Sequence, residues 1–88
     1  MSVAKQVRLL AQHWRRRFGL RPSQINQGSC RIFAWELAAR LPGSFVIWCE
    51  EWDHAYVRYQ GRLYDAETPR GVARYTHLPE IRRQKRGL

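Results

Sequence analysis

The sequence predicts an α+β domain in which two N-terminal helices pack on a small antiparallel sheet. Three observations predict it. Apolar residues recur at helical spacing in the first half of the chain, their period then changes to two, and Gly and Pro stand where the pattern changes. Helices followed by a run of consecutive strands make an α+β order rather than an alternating one. With 88 residues, the chain is expected to be a single domain over 1–88, with a basic C-terminal tail at about 79–88. A chain of this size buries roughly 60–65% of the surface its unfolded form exposes, enough for one modest core.

The first helix is carried by Val3, Val7, Leu10, Ala11, Trp14 and Phe18, with Ser2 as N-cap and Gly19 as stop. Its outer face holds Lys5, Arg8, Arg15 and Arg16. Residues 19–29 (GLRPSQINQGS) read as a loop, because they hold Gly, Pro, Ser and Asn. A second helix is expected from about Cys30 to Leu41, capped by Ser29 and stopped by Pro42-Gly43. Phe33, Leu37, Ala38 and Leu41 form its buried stripe.

Three strands follow. Ser44–Glu51 reads as a buried strand, His54–Tyr59 as the second and Arg62–Ala66 as the third. Gln60-Gly61 is the tight turn between the last two. Residues 72–78 are expected to add a short extended piece, and 80–86 reads as a charged tail, frayed helix or disordered.

Composition narrows the function classes. Hydrophobic residues make up 44% of the chain, too much for a disordered chain of this charge. The net charge of +9 implies attraction to something acidic: nucleic acid, an anionic surface or an acidic protein met through the Arg/Lys faces. The longest N-terminal apolar run, Leu9-Leu10-Ala11, fits neither a signal peptide nor a membrane span. A cytoplasmic location without membrane contact is therefore expected, and there a Cys30–Cys49 disulfide is not.

The chemistry gathers on three residues. Cys30 opens the second helix, where unpaired N–H groups and the positive end of the helix dipole stabilise an anion. A thiol there is more often thiolate, the nucleophilic form, and the same N–H groups can hold an oxyanion. Gly28 leaves room for a substrate beside it. On the hairpin, if Tyr59 faces Arg62 across the turn, Tyr56 faces Asp65 and His54 faces Glu67. Opposed side chains share a face, so His54 and Asp65 are diagonal neighbours at roughly 6–8 Å between Cβ atoms. Asp65 can orient the imidazole of His54, which then serves Cys30 as base. Glu67, directly opposite His54, is the rival acid partner. His13 and His77 read as ordinary histidines, and Cys49 as a strand residue packed beside Trp48 and Trp52.

In order, the string is Gly28-x-Cys30 at a helix start, His54-Ala55-Tyr56-Val57, then Gly61-Arg62-Leu63-Tyr64-Asp65-Ala66-Glu67-Thr68-Pro69. Over residues 24–72 it resembles the papain-like and transglutaminase-like cysteine superfamily. In transglutaminase-like members a Gly-x-Cys opens the core helix, then come a His-small-aromatic-Val strand, a hairpin with Gly, and an Asp close to Pro. The resemblance implies a Cys30-His54-Asp65 triad. It also implies an oxyanion glutamine, with Gln24 (six residues before the nucleophile) and Gln27 both open. Asn26–Cys30 also looks like the papain loop, although Arg31-Ile32 follows the cysteine where that family has Trp.

The leading expectation is a cysteine-nucleophile amide hydrolase, a peptidase, isopeptidase or related acyl-transfer enzyme, acting on a protein or peptide. The alternative is a non-catalytic basic module on the same fold that binds nucleic acid or an acidic protein. No metal and no cofactor are expected, since Cys30, Cys49, Asp53 and His54 lack the spacing of a zinc site.

Overall fold

The computed structural model of the chain describes residues 2–88. Helix α1 spans Val3–Phe18, α2 Pro22–Gly28, α3 Cys30–Ala39 and α4 Pro79–Arg86. Strands β1 (Phe45–Cys49), β2 (His54–Tyr59) and β3 (Arg62–Tyr64) form one antiparallel sheet in the order β1-β2-β3. A single 3₁₀ turn, Tyr75–His77, precedes α4. The α+β class is as expected, but the described residues form four helices rather than two.

Helix α1 begins and ends as its sequence dictates. The Ser2 hydroxyl accepts the Lys5 N–H, and Gly19 closes the helix in the left-handed conformation at φ 70°. Val7, Leu10 and Trp14 are buried, whereas Phe18 is exposed and leans on the Trp14 ring. The segment read as a loop contains α2. Pro22 stands in its first turn, where the missing N–H costs nothing, and Ile25 is fully buried. Gly, Pro and Ser therefore mark the ends of a short helix here and not an irregular stretch.

Ser29, at φ −130° and ψ 22°, breaks the path between α2 and α3. It occupies the N-cap position of α3, but its side chain makes no capping bond, contrary to expectation. Helix α3 ends at Ala39, two residues early, and Leu41 is still buried in the core. Phe33, Ala34 and Leu37 meet Leu10 and Trp14 of α1 and Ala55 and Val57 of β2. The Trp14 indole N–H donates to Glu36 Oε1 at 2.8 Å, pinning α1 to α3.

The β2–β3 register is the expected one, with Tyr59 opposite Arg62 and Val57 opposite Tyr64. Gln60 (φ 50°) and Gly61 (φ 77°) are both left-handed, as a type I′ hairpin turn requires. Three expectations in this region are corrected. Strand β1 is a partly exposed edge strand, with Phe45 and Trp48 open to solvent, not a buried one. Strand β3 stops at Tyr64, before Asp65. The extended piece at 72–78 reduces to one bridge, Val72 to Leu63, ahead of the 3₁₀ turn.

The basic tail is also corrected. It is an ordered helix whose Ile81, with the N-cap residue Leu78, is fully buried against Tyr56, Ile47, Trp52 and Leu63. The sheet is thus covered on both faces, by α1 and α3 on one and by α4 on the other. This explains why His54, Ala55, Tyr56 and Val57 are all buried in succession, without the alternation of a one-sided sheet.

Candidate active site

Three segments converge at one end of the sheet. Helix α3 brings Cys30 at its first position, β2 brings His54 at its first position, and the turn after β3 brings Asp65. The Cys30 side chain is half-buried, with the Ala55 N–H donating to its Sγ at 3.4 Å. The thiol therefore rests on the backbone immediately after His54. His54 and Asp65 are both almost wholly buried, at 0% and 2% exposure.

His54 Nε2 donates to Asp65 Oδ2 at 2.9 Å. Nδ1 is buried and makes no hydrogen bond of good geometry, yet the Cys30 thiol lies close enough that each group shifts the other's titration. Burial pulls the His54 pKa down, but the bond to Asp65 and the interaction with Cys30 outweigh it and push it up to about 9. Burial likewise raises the Cys30 thiol. The His54 interaction, the Ala55 N–H and the Arg31 N–H prevail and hold it below its ordinary value. The electrostatics thus favour a thiolate beside an imidazolium.

Asp65 is fixed independently of His54. Its Oδ1 accepts from Thr68 Oγ1 at 2.6 Å and from the Glu67 N–H at 3.0 Å. The Asp65 carbonyl accepts the Thr68 N–H at 3.0 Å, closing a turn. Thr68 was not among the candidates from sequence, although an Asp followed three residues later by Thr is a readable turn signal. Glu67, the rival acid partner, faces elsewhere. Its carboxylate accepts from Asn26 Nδ2 and from the Arg83 guanidinium, each at 2.9 Å. The hydrogen-bonded partner of His54 is Asp65.

A cleft of about 340 Å³ opens beside Cys30, lined by Asn26, Gln27, Gly28, Ser29, Arg31, Ile32, Trp48 and Asp53. The Arg31 guanidinium stacks on the Trp48 ring at 4.0 Å. Of the two glutamines, Gln27 lines this cleft and Gln24 does not. Gln24 Oε1 instead accepts the Arg21 N–H at 2.9 Å and closes the start of α2. Position in sequence alone could not separate them, because both precede the cysteine within two helical turns.

Cys49 is a free thiol paired across the sheet with His54, and it belongs to the cluster under α4. Among the described residues no group of three or more His, Cys, Asp or Glu could hold a metal ion, and no helix is long and apolar enough to cross a membrane. No protein-family model, curated protein or solved structure matches this chain.

Proposed function

We propose that the protein is a cysteine-nucleophile amide hydrolase or acyl-transfer enzyme built on a minimal papain-like or transglutaminase-like core. The observation that carries this reading is the placement of His54. One ring nitrogen is held by a buried, triply bonded Asp65, and the other is left for the Cys30 thiol. A histidine locked by an acid on one side and free toward a nucleophile on the other has the arrangement of a general base.

The chemistry follows from these positions. The Cys30 thiolate attacks the carbonyl carbon of an amide, and the oxygen takes up the negative charge. The first-turn N–H groups of α3, with the Gln27 amide at the cleft wall, are the donors for that oxyanion. The His54 imidazolium gives its proton to the departing amine as the C–N bond breaks, leaving a thioester on Cys30. A water molecule deprotonated by His54 then attacks the thioester, releasing the acid and regenerating the Cys30 thiolate beside the His54 imidazolium. An amine in place of water gives acyl transfer by the same steps. Asp65 keeps the ring in one tautomer throughout. The cleft is rimmed by the exposed side chains of Trp48 and Ile32, which suits a peptide segment or side-chain amide.

The test is the rate of iodoacetamide alkylation at Cys30 against pH, read by mass spectrometry to separate it from Cys49. The native protein should show an apparent thiol pKa well below the usual value of about 8.5, and His54→Ala should raise it. An ordinary value, unchanged by the substitution, would sink the catalytic reading and favour a basic binding module.

A further inference from the structure

One polar network outside the triad reaches all three of its segments. Glu67 lies two residues after Asp65, and its own N–H donates to Asp65 Oδ1. Its carboxylate takes Asn26 Nδ2, four residues before Cys30, at 2.9 Å. From α4, Arg83 donates to both Glu67 oxygens and to Glu80 Oε1, the last at 2.7 Å. One turn of the same helix also places Gln84, whose Nε2 donates to the Trp52 carbonyl at 2.7 Å and to Glu80 Oε2 at 3.0 Å. Trp52 lies two residues before His54.

We propose that Glu67, Arg83 and Gln84 act as a clamp through which α4 holds the Cys30, His54 and Asp65 segments in their reactive arrangement. This rests on the catalytic reading above and assigns these three as positioning residues, not reacting ones. The argument is one of topology and charge. Asp65 lies past the end of β3, so no sheet ladder fixes it. Its turn is closed from within by Thr68, and only the Glu67 carboxylate ties it to two helices. The Arg83 guanidinium is shared between Glu67 and Glu80, whose side chains are only 16% and 9% exposed. Without the guanidinium, two shielded carboxylates would face each other with no counter-charge, and the 66–68 turn, which belongs to no strand or helix, is where the structure would yield. On the other side, Gln84 holds the loop that leads into His54. A displacement of about 1 Å in such a site is enough to cost roughly a hundredfold in rate.

The experiment compares Cys30 alkylation by iodoacetamide against pH in the native chain, Glu67→Ala, Arg83→Met, Arg83→Lys and Leu41→Ala, with Tm for each. Leu41 is buried past the end of α3 opposite Cys30 and has no part in the network, so Leu41→Ala reports the effect of destabilisation alone. The clamp predicts that Glu67→Ala and Arg83→Met each slow alkylation near pH 6 by about tenfold, the effect of roughly one unit in the thiol pKa. Arg83→Lys, which keeps the charge and loses the fork, should recover part of that rate. Leu41→Ala should lower Tm and leave the profile in place. Three results would each overturn the clamp. A normal profile in both network variants overturns it while leaving the catalytic reading intact. An equal change in Leu41→Ala overturns it as mere loosening. An ordinary thiol pKa in the native chain overturns the catalytic reading itself.

Discussion

His54 is a buried base whose charge is stabilised from two sides, and this fixes how the molecule responds to pH. Its pKa of about 9 in the folded chain stands above the ordinary 6.5, so the folded state binds this proton more tightly than the unfolded state. The stability this contributes is fully present below about 6.5 and is lost as pH rises through about 9. The depressed Cys30 thiol has the opposite sense: its contribution is present above the unfolded thiol pKa and is lost as pH falls through the lowered one. Asp65→Asn removes the negative charge that His54 faces. The Tm difference between native protein and Asp65→Asn should therefore be largest near pH 6 and narrow toward pH 10. A gap that is flat or widens over that range would show that Asp65 does not hold a charged His54. At this scale much was legible. The I′ turn at Gln60-Gly61 fixed the hairpin register as far as the Val57–Tyr64 pair. The choice between Asp65 and Glu67 was not legible from register, because β3 ends at Tyr64 and ladder rules do not extend into the turn beyond it. Thr68 and the Glu67 N–H, which aim Asp65, decide it instead.

Among the elements, the two that were not legible are α2 and α4, for different reasons. Helix α2 hides because Pro, Ser, Asn and Gly are loop-forming on average, while Pro at a first helical turn is favourable and one Ile suffices to anchor seven residues. Helix α4 hides because it offers the core only Leu78 and Ile81 in an otherwise charged stretch, too few to make a periodic stripe. Its packing is nevertheless complete, since both side chains are fully buried. Ile81→Ala should thus cost about 2–4 kcal/mol in urea unfolding, through lost burial and the cavity left against Tyr56. Arg82→Ala, on the exposed side of the same helix, should change stability by no more than about 0.5 kcal/mol. Equal and negligible effects at the two positions are what a frayed tail would give, and would remove α4 from the folded unit.

For the molecule as a whole, the charge imbalance of +9 is sharper at the surface than in the composition. The chain has seven acidic residues. Asp65, Glu67 and Glu80 are spent in the polar networks at and behind the site, and Glu36 holds the Trp14 indole. What remains is Glu50, Glu51 and Asp53, all exposed on the single turn between β1 and β2. Composition alone gave the sign of this field. It could not give the distribution, because which acids turn inward depends on contacts such as Asn26 to Glu67 that join residues distant in sequence. The consequence is a surface of mutually repelling cations around a core that ion pairs stabilise from within. Added salt screens the exposed repulsion over a Debye length of about 8–10 Å near physiological strength, but it reaches the shielded Glu67–Arg83–Glu80 set much less. Stability should therefore increase with ionic strength, with Tm several degrees higher in about 0.5 M sodium chloride than in about 0.01 M. The Arg83→Met variant, which lacks the inward pairing, should gain no less than the native chain. A Tm that falls with salt in the native protein would mean that exposed ion pairs outweigh the surface repulsion, and that the excess of positive charge is not a cost to this fold.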